Sequence, residues 1–214
     1  HYNFRLLFDE GYIRLLTIQN RGRFSNPVFG TNITNHPLIT RADIINLQWI
    51  NGGFISLDAL GKIGRLGKPI FWTFHDMWAF TGGCHYVSDC QNYLTECRNC
   101  PALKLSSKSD VSNHIFNRKK ELYEKLNLTI VTTSRWLANE ASRSALLKKK
   151  KVFVIPTPID SELFKPVDKK ISRRALNLPD DKKIILFGAM NLKDERKGFR
   201  YLIEALQIIN RNKE

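Results

Sequence analysis

Short apolar runs and helically spaced apolar positions alternate along this chain. ADIINLQWI (Ala42 to Ile50) is an apolar run of strand length. In GFISLDALGKIGRLG, Phe54, Leu57, Leu60 and Ile63 recur every three positions, the spacing of a helix face, and Gly67 is its stop signal. KPIFWTFH predicts a second buried strand, and SNHIFNRKKELYEKL a helix with Ile115, Leu122 and Leu126 among its apolar positions. LTIVTTS (Leu128 to Ser134) predicts a third strand. Ser134 caps a helix over SRWLANEASRSALL, and KVFVIP is a fourth strand stopped by Pro156. Continuous apolar strands alternating with helices argue for an α/β fold with a parallel sheet covered on both faces. The simplest topology is a doubly wound, Rossmann-like unit.

PTPIDSELFKPVDKK breaks this rhythm. Pro156, Pro158 and Pro166 interrupt both helix and strand, so a first domain is expected over 1–156, a linker over 157–170 and a second domain from 171 to 214. That second part reads as a short helix (ISRRALNL), an apolar strand (KKIILFGAMN), a charged loop (LKDERKG) and a helix from about Gly198. On that helix Tyr201, Leu202, Ala205, Leu206 and Ile209 form the apolar face. The chain opens on His1 within an element and stops just after an amphipathic helix, so a fragment with both domains incomplete is expected.

A hydrophobic content of 43% is enough for a real core. No apolar run reaches the ~18 residues of a membrane-spanning helix, and no leader of the secretory kind is seen. A cytoplasmic protein is expected. The net charge of +14 favours polyanionic partners: nucleic acid, anionic lipid head groups or phosphorylated substrates. Lys148 to Lys151 concentrate part of it, either as a solvated turn before a strand or as a patch facing an anionic membrane, where each basic residue contributes ~1 kcal/mol.

In an open α/β sheet, ligands bind beyond the carboxyl ends of the strands. His75 and Asp76 stand at such an end, and imidazole suits proton transfer or hydrogen bonding near neutral pH. Asn51, Gly52 and Gly53 follow the first strand, as a plain turn or as a loop that lets backbone approach a ligand. Arg196 and Lys197 precede a helix N-terminus, whose free N–H groups and positive dipole end suit phosphate. Cys84, Cys90, Cys97 and Cys100, spaced C-x5-C-x6-C-x2-C, are the chain's whole complement of cysteine. They form a structural zinc site, two disulfides, or a set of free thiols, with His85 as a spare ligand.

Taken in order, ADIINLQWINGGF, KPIFWTFHDMWAFTGGCHY, the four cysteines, IVTTSRWL, VIPTPIDSELFKP and IILFGAMNLKDERKGFRYLIEAL resemble a bacterial branch of the group 1 glycosyltransferases, family 4 of the retaining enzymes. The resemblance runs from about Arg41 to the end of the chain. It implies the GT-B arrangement of two Rossmann-like domains, the first binding acceptor and the second binding a nucleotide-sugar donor. It implies transfer without a catalytic metal, so that any zinc is structural. It also implies a glycan or lipid-linked acceptor in capsule, O-antigen or exopolysaccharide synthesis, at the inner face of the plasma membrane.

By the same resemblance, His75 contacts the transferred sugar, Lys197 holds the donor diphosphate, and Asp76 with Asn51 to Gly53 lines the acceptor side. Ala189 stands where the family usually has arginine, which makes Arg196 the candidate replacement, and Thr157 stands where many relatives have asparagine. Lys197, Arg196 and the helix N-terminus then stabilise the leaving diphosphate, while His75 orients the sugar. Three rival readings stand beside this one. A zinc-stapled basic nucleic-acid binder fits the charge and the cysteines, but no nucleic-acid-binding motif supports it and no nucleic-acid partner is expected. An epimerase or a phosphorylase of the GT-B type fits the fold.

Overall fold

The computed structural model describes residues 11–18 and 23–211; residues 1–10, 19–22 and 212–214, at the outer edges of the two expected domains and within the first, lie outside the described residues. The chain divides into two compact units between Pro158 and Ile159.

Four strands build the first unit's sheet: β1 (Ile45–Leu47), β2 (Ile70–Phe74), β3 (Leu128–Thr132) and β4 (Val152–Val154). All pair in parallel, in the order β1-β2-β3-β4, with Leu47 opposite Trp72 and Phe74 opposite Thr132. After a short helix α1 (Pro37–Arg41), the crossovers carry α2 (Leu57–Gly64), α3 (Val111–Glu124) and α4 (Arg135–Arg143). Each crossover helix starts on a side-chain cap: Ser56 accepts from Ala59 N–H, Asp110 from Asn113 N–H and Ser134 from Leu137 N–H, at 3.2, 3.1 and 3.2 Å. Gly67 takes the left-handed φ of +70° and donates to Gly64 O, ending the turn that follows α2.

Side chains alternate across a strand, so each face of the sheet can be followed residue by residue. Ile45, Leu47, Ile70, Trp72, Phe74, Leu128 and Ile130 point to one face. There they join Leu57, Leu60 and Ile63 of α2, Phe116 and Tyr123 of α3, and Leu137 and Ala141 of α4 in a single buried cluster. All three helices therefore cover the same face, as an unbroken sequential order requires when the crossovers share one hand. The other face carries Asn46, Phe71, Thr73 and Val131, and no helix of the first unit's described residues joins them there. The expected Rossmann-like α/β fold with a parallel sheet is thus present, whereas double winding and two-sided cover are not found among the described residues: a reversal needs a strand on the far side of β1, and no described residue supplies one.

The second unit holds α5 (Lys169–Ala175) and α6 (Phe199–Arg211) and no strand among its described residues. The strand expected over KKIILFGAMN is irregular, with Leu186 92% exposed. The physical reason is pairing: an extended segment with no neighbour leaves its N–H and C=O groups to water. Local chemistry still shapes the unit. Asp168 caps α5 through Lys170 and Ile171 N–H, Arg173 donates to the carbonyls of Pro179, Asp180 and Lys182, and the Phe187 and Phe199 rings meet at 5.2 Å.

Candidate functional site at the strand ends

Parallel register sets the carboxyl ends of β1 and β2 side by side. Gln48 and His75 follow these strands, and His75 Nε2 lies 2.8 Å from Gln48 Oε1. Gln48 Nε2 donates to Asn46 Oδ1 at 3.2 Å, which fixes the amide with its oxygen toward the imidazole. His75 therefore donates from Nε2 to that oxygen. Thr73 Oγ1 adds a bond to Asn46 Oδ1 at 3.4 Å. This polar string lies along one wall of a groove of about 520 Å³ whose remaining lining is mostly apolar, Ile44, Phe71, Val131, Ile155, Pro156 and Pro158, with Thr133 and Thr157 among them. A groove of equal volume runs between α2 and α3, lined by Asp58 and Arg118, which pair across it. It is a valley between two helices, remote from the strand ends.

Behind His75 is a cavity of about 10 Å³, lined among others by Gln48, Asn51, His75 and Asp76. That is room for no more than one water. Asn51 is buried, and its Oδ1 has no hydrogen-bond partner among the described residues. Gly52 and Gly53, both at positive φ, complete the turn after it but line neither this cavity nor the groove. The sheet thus gathers His75, Asp76 and Asn51 at one place and leaves the two glycines beside it.

Asp76 faces inward. Oδ1 accepts from Trp78 N–H at 2.9 Å, and Oδ2 meets His85 Nδ1 at 2.6 Å. His85 Nε2 lies 2.8 Å from Ser25 Oγ. This is the order of a serine–histidine–aspartate triad, but His85 is 1% and Ser25 4% exposed, so no substrate reaches the hydroxyl. Burial pushes the His85 pKa down and outweighs the opposing pull of the Asp76 carboxylate, so the imidazole is neutral at pH 7. Burial acts to raise the Asp76 pKa, yet the bonds from His85 and Trp78 N–H hold it below the usual carboxylate value. The chain of three is a clamp. It draws the loop after β2 back onto the strand end, where Ser25 N–H donates to Gly83 O and His85 N–H to Arg23 O, at 2.9 and 3.0 Å.

The same loop rests on a buried lysine. Lys119 of α3 is 0% exposed; its Nζ donates to the carbonyls of Trp78 and Thr81 and lies 3.5 Å from the Trp78 ring centre. Desolvation pushes its pKa down to about 7. Sequence reasoning passed over Lys119, although it stands three residues from Phe116 and four from Tyr123, on the buried stripe of its helix. The Ser25 and His85 partnership, 60 residues apart in sequence, leaves no such trace.

Cys84, Cys90, Cys97 and Cys100 all line one cavity of about 20 Å³ and are free thiols. Among the described residues, no group of three or more His, Cys, Asp or Glu stands in a metal-holding arrangement. In the second unit, Asp194 caps a 3-10 turn (Glu195–Lys197), and Gly198 at φ +74° leads into α6. Arg196 Nε and Nη2 bind Asp194 at 3.0 and 2.6 Å, so its guanidinium is already occupied, while Lys197 is exposed just before the helix N-terminus.

A comparison with curated proteins finds 25% identity over 120 residues with "Putative colanic acid biosynthesis glycosyl transferase WcaC" of Escherichia coli (strain K12). The match covers 53% of this chain and 30% of that relative, so the matched region spans under a third of the relative's length. No family model matches, and no solved structure does. No helix among the described residues is long and apolar enough to cross a membrane.

Proposed function

We propose that this chain belongs to a retaining glycosyltransferase that moves a sugar from a nucleotide-sugar donor to a glycan or lipid-linked acceptor in surface-polysaccharide synthesis. The single observation that carries the reading is the His75–Gln48 pair at the parallel strand ends, facing a groove of about 520 Å³. Strand ends are where an open α/β sheet binds its ligand, and a groove with one polar and several apolar walls suits a sugar held by its hydroxyls and its ring face. The distant likeness to a protein named for colanic acid biosynthesis supports the same class.

In this reading His75 orients the sugar at the reacting carbon through its imidazole. The donor diphosphate meets Lys197 and the N–H groups that open α6, and positive charge there stabilises the leaving group as the sugar–oxygen bond breaks. Arg196, held by Asp194, shapes that loop before it contacts phosphate. The test is to incubate the intact protein with labelled nucleotide sugars and polysaccharide or lipid-linked acceptors, and to follow label in the product. Transfer with the anomeric configuration retained is the expected result. Failure of every donor, or inversion, would overturn the reading.

A further inference from the structure

We propose that Cys84, Cys90, Cys97 and Cys100 form a structural zinc site, one ion per chain, that locks the loop following β2. The first ground is convergence. The four cysteines span three stretches of loop, yet all of them line the same cavity. Its volume of about 20 Å³ suits a single ion. Four thiolates give the closed tetrahedral shell of structural zinc, with Zn–S near 2.3 Å.

The second ground is charge. Lys119 is buried at the same loop, bonded only to carbonyl oxygens, with no carboxylate in hydrogen-bond contact among the described residues. Its Nζ donates to Thr81 O, and Thr81 lines the cavity of the four cysteines. A zinc tetrathiolate carries two negative charges, and a buried ammonium beside it offsets one of them.

The third ground is the backbone already turned toward sulfur. Gly82 N–H donates to Cys97 Sγ at 3.2 Å, the kind of bond that stabilises a thiolate. Asn99 takes a left-handed φ of +47° between Cys97 and Cys100, a sharp turn within the C-x2-C pair, and both cysteines line the cavity. Asp110 Oδ2 accepts from Cys100 N–H at 2.8 Å and Ser107 N–H at 3.2 Å, holding the outer strand of the knuckle. Cys84 and Cys100 both line this cavity, Cys100 as a buried residue. As the sulfurs stand, no three meet at ligand distance, so binding closes Cys90 and Cys97 onto that pair and releases the thiol protons.

This inference is independent of the sugar-transfer reading, and its test uses no activity. The intact protein, purified without a metal-affinity tag, is analysed by elemental mass spectrometry and by thiol titration in denaturant. About one zinc per chain and four reactive thiols after chelation are expected. Cobalt added to the stripped protein should show the strong visible bands of a tetrahedral thiolate site. Cys90→Ser should lower bound zinc at least tenfold, whereas Cys90→His should keep it. Four thiols with no metal, two disulfides, or iron with sulfide would each overturn the proposal. The stoichiometry of the unmutated protein decides the matter even if the variants do not fold.

Discussion

Asp76 shows how a residue beside a candidate active centre can serve that centre without entering it. It follows His75 directly, yet both oxygens are committed to Trp78 and His85. The clamp gives the fold a definite response to acid. Because burial lowers the His85 pKa, the unfolded chain binds a proton that the folded one refuses, so stability falls as pH drops below about 6.5. Asp76 is shifted below its unfolded value, so its contribution is present above about pH 4 and is lost as pH falls through the folded value. Urea midpoints measured across pH check both windows: His85→Gln should flatten the upper one and Asp76→Asn the lower. At pH 7, Asp76→Asn should cost about 1–3 kcal/mol, the typical cost of leaving a buried partner unsatisfied. Superimposable pH profiles for wild type and both variants would remove the clamp from the account.

At the scale of elements, the loop after β2 is held by contact as much as by hydrogen bonds. Gly83 has φ +133°, and a Cβ there would stand 2.3 Å from the Phe24 ring. Gly83→Ala should therefore destabilise the protein by about 1–3 kcal/mol, the range for overpacking, read as a lower denaturation midpoint at unchanged slope. An unchanged midpoint would mean that Phe24 does not seat on this loop. The elements of the first unit were legible in the sequence because each buries apolar side chains: the apolar run KPIFWTF and the serine before RWLANEASR correspond to β2 and to the cap of α4. What was not legible depends on partners distant in the chain. The apolar run KKIILFGAMN has the composition of a strand, but a strand exists only by pairing, and composition does not record whether a neighbour is present. The place of His75 and Asn51 at one point followed from strand ends. The inward turn of Asp76 did not, because it requires His85 and Ser25.

At the scale of the whole molecule the two units differ in burial. The first has a continuous core from Ile45 to Leu147, whereas α6 has no buried residue and Ile185, Leu186 and Met190 lie in the open. Local stability follows buried apolar contact, so limited proteolysis of the 214-residue chain should cut within the second unit first and leave a resistant product ending near Pro158. Equal rates of loss for both units would contradict that ordering. The central claim is that the strand ends of the first unit carry sugar transfer. Its most direct test is the turnover of the intact protein with His75→Ala, measured beside its thermal unfolding. The account predicts a fall in turnover of about 10²–10³-fold with the unfolding midpoint unchanged, since His75 is exposed and its bond to Gln48 lies on the surface. Turnover equal to wild type would contradict it, and would move the chemistry away from the carboxyl ends of β1 and β2.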